Sequence, residues 1–465
     1  MESNTDRVEA HLRELAASAA VGSRLPSVRQ LTERFRASST TVNAAIARLA
    51  HEGLLAPRPG SGTFVAGSPR LSPRDFSWQS VTLGARLQPG SALAPLAATP
   101  PAGAISLSHG YPDALLQPRD LAQRAARRAV ADPRAWERAP SAGLPELRAW
   151  FAADAGPGVD ADDVLVVPGG QAGLSVVIRA LTSPGDAIVV ESPTYLGVLE
   201  AARQARLTIV PVPTDHAGVQ PELLAAAFHE SGAKLAVLQP RFANPTGASL
   251  ARSRRAAVLE VVRAARAFLL EDDYARDLGY PGTEHEPPLL ADDADGHVIY
   301  LRSLTKPIAP SLRVAALVAR GPVLTRLRHG RLVDDLFVSG LLQVVALEVV
   351  TSAAWRRSLA TLQAGLAERM QTAIAAVADL PVTVPAAPRG GVSLWVQLPG
   401  WLDDVTLVDA AARLGVSLMP GRPWFPGEPT GSFLRISVAA AERDAIVAGI
   451  DRLATSTIFD APPAD

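Results

Sequence analysis

Of the 45 basic residues in this 465-residue chain, only Lys234 and Lys306 are lysines. Lys306 lies in Ser303-Leu304-Thr305-Lys306-Pro307-Ile308-Ala309-Pro310-Ser311-Leu312-Arg313. An ammonium can lose its proton and attack a carbonyl, whereas a guanidinium stays charged. A lysine kept among arginines therefore suits Schiff-base chemistry with a carbonyl compound. The alternative is codon bias, with Lys306 a surface charge. Lys234 is the internal control: it opens the apolar run Leu235-Ala236-Val237-Leu238 with no motif around it and reads as solvated.

Other residues of chemical interest lie at intervals along the chain. Pro168-Gly169-Gly170-Gln171-Ala172-Gly173-Leu174 joins an apolar run to a helix, where close backbone approach, free N–H groups and the helix dipole favour a phosphate. Glu191-Ser192-Pro193-Thr194-Tyr195 offers a ring that could stack on a planar cofactor or simply fill the core. Asn244-Pro245-Thr246-Gly247 reads as a turn. In Glu271-Asp272-Asp273-Tyr274, one acid buried beside a pyridine nitrogen would keep that ring protonated and strengthen it as an electron sink. Ser303 and Arg313 could grip a phosphate, the arginine through paired N–H donors. Arg435, in Phe433-Leu434-Arg435-Ile436-Ser437, could pair with a protein acid or clamp a substrate carboxylate.

These residues follow short, continuous apolar runs: Val164–Val167, Ala187–Val190, Leu207–Val210, Leu235–Leu238, Ala267–Leu270 and Val298–Leu301. Helical segments separate most of them. Runs of this kind suit strands buried on both faces, which predicts an α/β layered domain with a mostly parallel sheet from residue 104 onward.

Residues 1–66 follow a different plan. Val8, Leu12, Leu15 and Ala19 mark a first helix, and Ser27 with Gln30 forms a capping-box signal for a second. A third helix starts near Ser39, with Val42, Ile46 and Leu49 inward, and Arg58-Pro59-Gly60-Ser61-Gly62 is the tip of a β-wing. This is a winged helix-turn-helix whose third helix reads a DNA groove. Between residues 21 and 66, six arginines face two glutamates, a local balance of +4 that suits phosphate contact. Arg29 and Arg58 are the candidate phosphate contacts, while Ser39, Thr40 and Asn43 lie where the third helix would meet DNA. Ser39 reads equally as an N-cap, and Asn43 can pair with adenine. Residues 67–103 form a Pro-rich linker, either semi-rigid with Phe76, Trp78 and Leu83 docked on a surface, or disordered.

Arg24-Leu25-Pro26-Ser27-Val28-Arg29-Gln30-Leu31, Thr41-Val42 and Arg58–Val65 together resemble the DNA-binding domain of the GntR family. The ordered motifs of residues 104–450 resemble fold-type I pyridoxal 5'-phosphate (PLP) enzymes of the aspartate aminotransferase class. Joined, the halves are similar to the MocR subgroup of GntR-family regulators, which Ser108-His109-Gly110-Tyr111-Pro112-Asp113 and Ser141–Arg148 also fit. The resemblance implies a PLP-binding effector domain over residues 104–465, ending in a small α+β subdomain. It implies that Gly170, Gln171, Ser303 and Arg313 hold the phosphate and that Tyr195 stacks on the ring. Asn244 and Tyr274 would bond the phenolic oxygen, Asp272 (or Asp273, if the register slips) would pair with the pyridine nitrogen, and Lys306 would form the Schiff base. Arg435 would bind an α-carboxylate.

The function implied is a PLP-dependent transcriptional regulator that senses an amino compound, or PLP itself, at Lys306. Its partners would be double-stranded operator DNA and a second copy of the chain. A working aminotransferase with an accessory DNA-binding domain is the alternative. Composition narrows the field further. A net charge of −1 gives no global attraction to polyanions, so any DNA site must be local. The absence of cysteine excludes disulfides, thiolate catalysis and Cys-ligated metal, and no metal site is expected. No apolar stretch reaches membrane-spanning length and no signal-peptide pattern opens the chain, which points to the cytoplasm.

Overall fold

A computed structural model describes residues 4–66, 76–84, 91–284 and 286–459. It divides into two compact units, residues 1–87 and 88–465.

In the first unit, α1 (Asn4–Ser18) buries Val8 and Leu12. α2 (Val28–Phe35) starts at the expected capping box, with Gln30 N donating to Ser27 Oγ and Ser27 N donating to Gln30 Oε1 at 2.8 Å. It stops where Arg36 turns left-handed. α3 (Ser39–His51) is capped by Ser38, whose hydroxyl accepts from Thr41 N at 3.1 Å. Ser39 is thus the first helical residue and not the cap, so its exposed side chain stays free for another partner. Val42, Ala45, Ile46 and Leu49 close a core with Leu25, Leu31, Leu55 and Val65. The wing is an antiparallel hairpin of β1 (Leu55–Arg58) and β2 (Gly62–Val65). Gly60 (φ 75°) and Gly62 (φ 112°) supply the positive φ its tip needs.

In the second unit, β3 (Ile105–Ser106) is followed by an eight-stranded sheet built from β4 (Val164–Val167), β5 (Ala187–Ser192), β6 (Thr208–Asp215), β7 (Gly218–Val219), β8 (Leu235–Leu238), β9 (Phe268–Asp273), β10 (Val298–Ser303) and β11 (Ala315–Val318). Their order is β4-β11-β10-β9-β8-β5-β6-β7. Strands β10, β9, β8, β5 and β6 pair in parallel, while β11 runs antiparallel to both its neighbours. All six apolar runs become strands. The two-residue β7 and the half-alanine β11 complete the sheet. β12 (Ser393–Gln397), β14 (Met419–Pro420) and β15 (Phe433–Ser437) form a smaller antiparallel sheet, and β13 (Val416–Ser417) pairs in parallel with β3. Together with the helices Trp355–Val377, Asp404–Arg413 and Arg443–Ala454 they make the expected small α+β part.

Of the linker, Pro69, Pro73 and Pro89 lie outside the described residues. Phe76, Trp78 and Leu83 are exposed. Leu93 and Leu96, within the second unit, pack on the core of the sheet domain. None of the described helices is long and apolar enough to cross a membrane.

Candidate cofactor site and DNA-binding surface

Parallel strands deliver their C-terminal residues to one edge of the sheet, and that is where the candidate residues converge. One cavity is lined by Gly170, Gln171, Tyr195, Asn244, Asp272, Tyr274, Ser303, Lys306 and Arg313, which are all the sequence-assigned cofactor residues. Tyr111, Leu174, Gln239 and Thr305 also line it. Arg435 lies alongside: a Cβ built on Gly110 would lie 3.1 Å from its Nη2 and 3.5 Å from Lys306 Nζ.

Burial governs the charges here. Lys306 Nζ donates to the Gly110 carbonyl at 2.6 Å and lies 3.8 Å from the centroid of the Tyr111 ring. Desolvation pushes its amine down to about 7, the Arg435 and Arg313 guanidiniums push the same way, and Asp272 opposes them. An amine tuned to this range is a nucleophile near neutrality, which a surface lysine is not. The rate of covalent attachment of PLP should therefore rise about tenfold per pH unit up to about pH 7 and level off above it, as read by stopped-flow absorbance. A rise continuing toward the ordinary lysine value of 10.5 would contradict this.

Asp272 and Asp273 are separated by the two-residue period of β9. Asp272 faces the cavity, accepting from Gln239 Nε2 at 2.7 Å, and burial raises its pKa to about 6. Asp273 faces the other way, accepting from the Tyr300 hydroxyl at 3.0 Å with Arg241 and Arg276 nearby. A buried carboxylate turned into a cavity is suited to a cationic ring nitrogen. Tyr274 donates to the Phe242 carbonyl at 2.7 Å, and Asn244 Oδ1 accepts from Arg435 Nε at 3.0 Å.

The opposite end of the cavity is built for an anion. The helix Gly170–Leu181 begins there without a side-chain cap, leaving N–H groups free. Ser303 Oγ and the Arg313 guanidinium flank it, and Arg313 has no acidic partner among the described residues. Gln171 is anchored to the Gly197 carbonyl at 3.0 Å, and its Oε1 is buried without a partner. A Cβ at Gly169 would lie 2.3 Å from Arg313 Nη2, and Gly169 has φ 96°. Gly169→Ala should therefore displace the guanidinium and weaken PLP binding at least about tenfold, 1.4 kcal/mol, in an absorbance titration; unchanged affinity would contradict the anion role of this corner. An anion cradle, a nucleophilic lysine and an inward carboxylate fit PLP, which supplies an aldehyde for the lysine and a ring that withdraws electrons.

Arg435 is 2% exposed. Its partners are Asn244 Oδ1 and the Ser108 carbonyl, and its guanidinium lies 5.0 Å from the Trp424 ring. It has no ion pair among the described residues, so the protein-acid alternative is not realised, and burial lowers its pKa to about 10.

On the winged unit, Arg29, Ser39, Thr40, Asn43 and Arg58 are all exposed. Arg29 pairs with Glu33 at 3.1 Å in solvent, a weak bond that DNA phosphate can displace. Arg48 lies near Asp6 and Glu9. Arg24, Arg34, Arg36 and Arg58 have no acidic partner among the described residues, and Arg58 rests on Phe64 at 4.8 Å.

Residues 103–453 match the family described as aminotransferase class I and II, and residues 4–65 match the bacterial regulatory proteins of the gntR family. The 2-aminoadipate transaminase of Thermus thermophilus is 30% identical over 76% of this chain and 89% of its own. The vitamin B6 salvage pathway transcriptional repressor PtsJ of Salmonella typhimurium is 30% identical over 84% of each. The structure of LysN, the α-aminoadipate aminotransferase of Thermus thermophilus, complexed with N-(5'-phosphopyridoxyl)-L-leucine, superposes with a TM-score of 0.73 at 28% identity, covering 78% of this chain and 93% of that one. Fold and site thus define a fold-type I, PLP-dependent protein carrying a winged DNA-binding domain. The chain belongs to the class I and II aminotransferase family and, through its GntR domain, to the MocR-type transcriptional regulators.

Tyr111, Gln239 and Thr305 had no role assigned from sequence. Gln239 and Thr305 lie inside motifs read for other residues. Tyr111 lies inside the Ser108–Asp113 motif, which carries no role of its own in the sequence, and reaches the cavity only through the tertiary fold.

Proposed function

We propose that this protein regulates transcription by exchanging a small amino compound that carries a carboxylate at PLP held by Lys306. The observation that carries this reading is the buried, acid-free guanidinium of Arg435 converging with Lys306 Nζ on Gly110. A carboxylate would satisfy Arg435 while the neighbouring amine competes with Lys306. Gly170, Gln171, Ser303 and Arg313 would hold the phosphate, Tyr195 would stack on the ring, Asn244 and Tyr274 would bond its phenolic oxygen, and Asp272 would face its nitrogen. Such a ligand shifts DNA binding only by favouring one domain arrangement over another. Two chains would present two winged units to paired half-sites.

The similarity to PtsJ, a repressor of vitamin B6 salvage, favours a B6 vitamer as the alternative effector. Arg435→Ala separates the two readings. It should abolish the response of DNA affinity to amino acids, and an unchanged response to PLP alone would favour vitamer sensing. Mixing the PLP-loaded protein with amino acids should change its visible spectrum once without sustained release of keto acid. Continuous keto-acid production with an acceptor would instead establish an aminotransferase. For the winged unit, Arg58→Ala should weaken binding evenly across DNA sequences and reduce the salt slope by about 1, measured by anisotropy from low to high salt. An unaltered slope would remove Arg58 from the phosphate contacts.

A further inference from the structure

Residues 105–111 pass between the cofactor site and the docked end of the linker. Three side chains, of which Lys306 lines the cavity, hold three successive carbonyls in this stretch. Arg435 Nη1 donates to Ser108 O at 2.8 Å, Ser437 Oγ to His109 O at 2.6 Å, and Lys306 Nζ to Gly110 O at 2.6 Å. The His109 imidazole leads elsewhere. Its Nε2 lies 2.6 Å from the Ala98 carbonyl, which only accepts, so Nε2 carries the proton. Nδ1 then accepts from the hydroxyls of Ser106 at 2.9 Å or Ser108 at 3.0 Å, which fixes the ring. Ala98 immediately follows the short helix Ala94–Ala97, and Leu93 and Leu96 of this segment pack on the sheet domain. The segment also lies against the helix Leu196–Gln204, which begins directly after Tyr195.

We propose that His109 is a positioning residue that couples occupation of the cofactor pocket to the docking of linker residues 91–98. This rests on the reading of Lys306 and Arg435 as ligand-facing groups. Lys306 and Arg435 are the two side chains a bound ligand would recruit, and they hold the carbonyls on either side of His109. Recruitment removes or redirects those bonds at residues 108 and 110. The backbone of residue 109 stays tied through Ser437, so the change is expressed as a tilt of residue 109, whose ring grips Ala98. A signal at the pocket therefore reaches the segment that leads to the DNA-binding unit without any ligand touching that segment.

The test uses the full chain and PLP. Amide hydrogen exchange is read in peptides covering residues 91–104, with the visible absorption of bound PLP recorded on the same samples. In the wild type, PLP should change exchange there several-fold. His109→Gln, whose amide can donate to Ala98 O, should keep the response. His109→Leu should lose it while retaining the absorption band. The same response in His109→Leu as in wild type, or a band without an exchange change in wild type, would overturn the coupling. Loss of the band in His109→Leu would make His109 part of cofactor binding itself and also overturn it. A wild type with no band at all is a different failure, that of the Lys306 reading, and would remove both.

Discussion

Lys306→Ala should abolish the visible absorption of the PLP-loaded protein and weaken cofactor binding at least about tenfold, 1.4 kcal/mol. No other side chain of the site can supply the chemistry of Lys306. Lys306 is the lysine of the cavity, desolvated and depressed to about 7, and every other cation near it is an arginine that cannot form the bond. Lys234 is exposed at the entry to β8 and does not line this cavity, so no second amine stands in. Lys306→Arg should behave like Lys306→Ala in the absorption experiment, because it keeps the charge and loses the nucleophile. An unchanged visible spectrum in either variant would refute the assignment of Lys306.

Asp277→Ala should destabilise the cofactor domain by about 3–5 kcal/mol, read as a fall in its urea midpoint at constant slope. Arg302 is 1% exposed and lies on β10 directly before Ser303. Its Nη2 donates to Asp277 at 2.6 Å, its Nε to Asp154 at 2.9 Å and its Nη1 to the Ser303 carbonyl at 2.8 Å. The two acids respond differently to the shared guanidinium: burial prevails at Asp277 and holds its pKa up, while Arg302 and Arg276 prevail at Asp154 and hold it down. Removing Asp277 leaves a buried cation short of one partner, and the cost is mainly that uncompensated charge. Because Nη1 holds the Ser303 carbonyl, the same variant should also loosen the anion corner of the cavity. The pair Arg443–Glu368, 2.6 Å apart but more than half exposed on both sides, is the contrast. Glu368→Ala should cost less than about 1 kcal/mol. Equal costs for the two would contradict the account.

What the sequence disclosed follows from which interactions are local. Strands buried on both faces leave unbroken apolar runs, so six of them could be read from residue order. The capping box of Ser27 and Gln30 is likewise a three-residue pattern. Asp272 and Asp273 could not be separated without the strand register, since a slip of one residue exchanges cavity and core. The start of α3 near Ser39 is legible, but the choice of cap among neighbouring hydroxyls is not, because only the bond from Thr41 N to Ser38 Oγ singles out Ser38. Arg302 offered no signal at all. An arginine in an apolar strand becomes intelligible only when Asp154 and Asp277, 148 and 25 residues away, fold against it. Leu93 and Leu96 pack on the sheet core although no local pattern marks them, because their packing depends on which stretch of chain reaches the sheet.

The central claim is that the PLP site and the DNA-binding unit act as one device. Fluorescence anisotropy of the DNA upstream of this protein's own gene, at one fixed salt concentration and with excess unrelated DNA, tests it most directly when run with and without PLP. Binding should survive the competitor and change in affinity when PLP is added. Binding that is equal for any DNA, lost with modest salt and indifferent to PLP would reduce the winged unit to non-specific phosphate contact and contradict the claim.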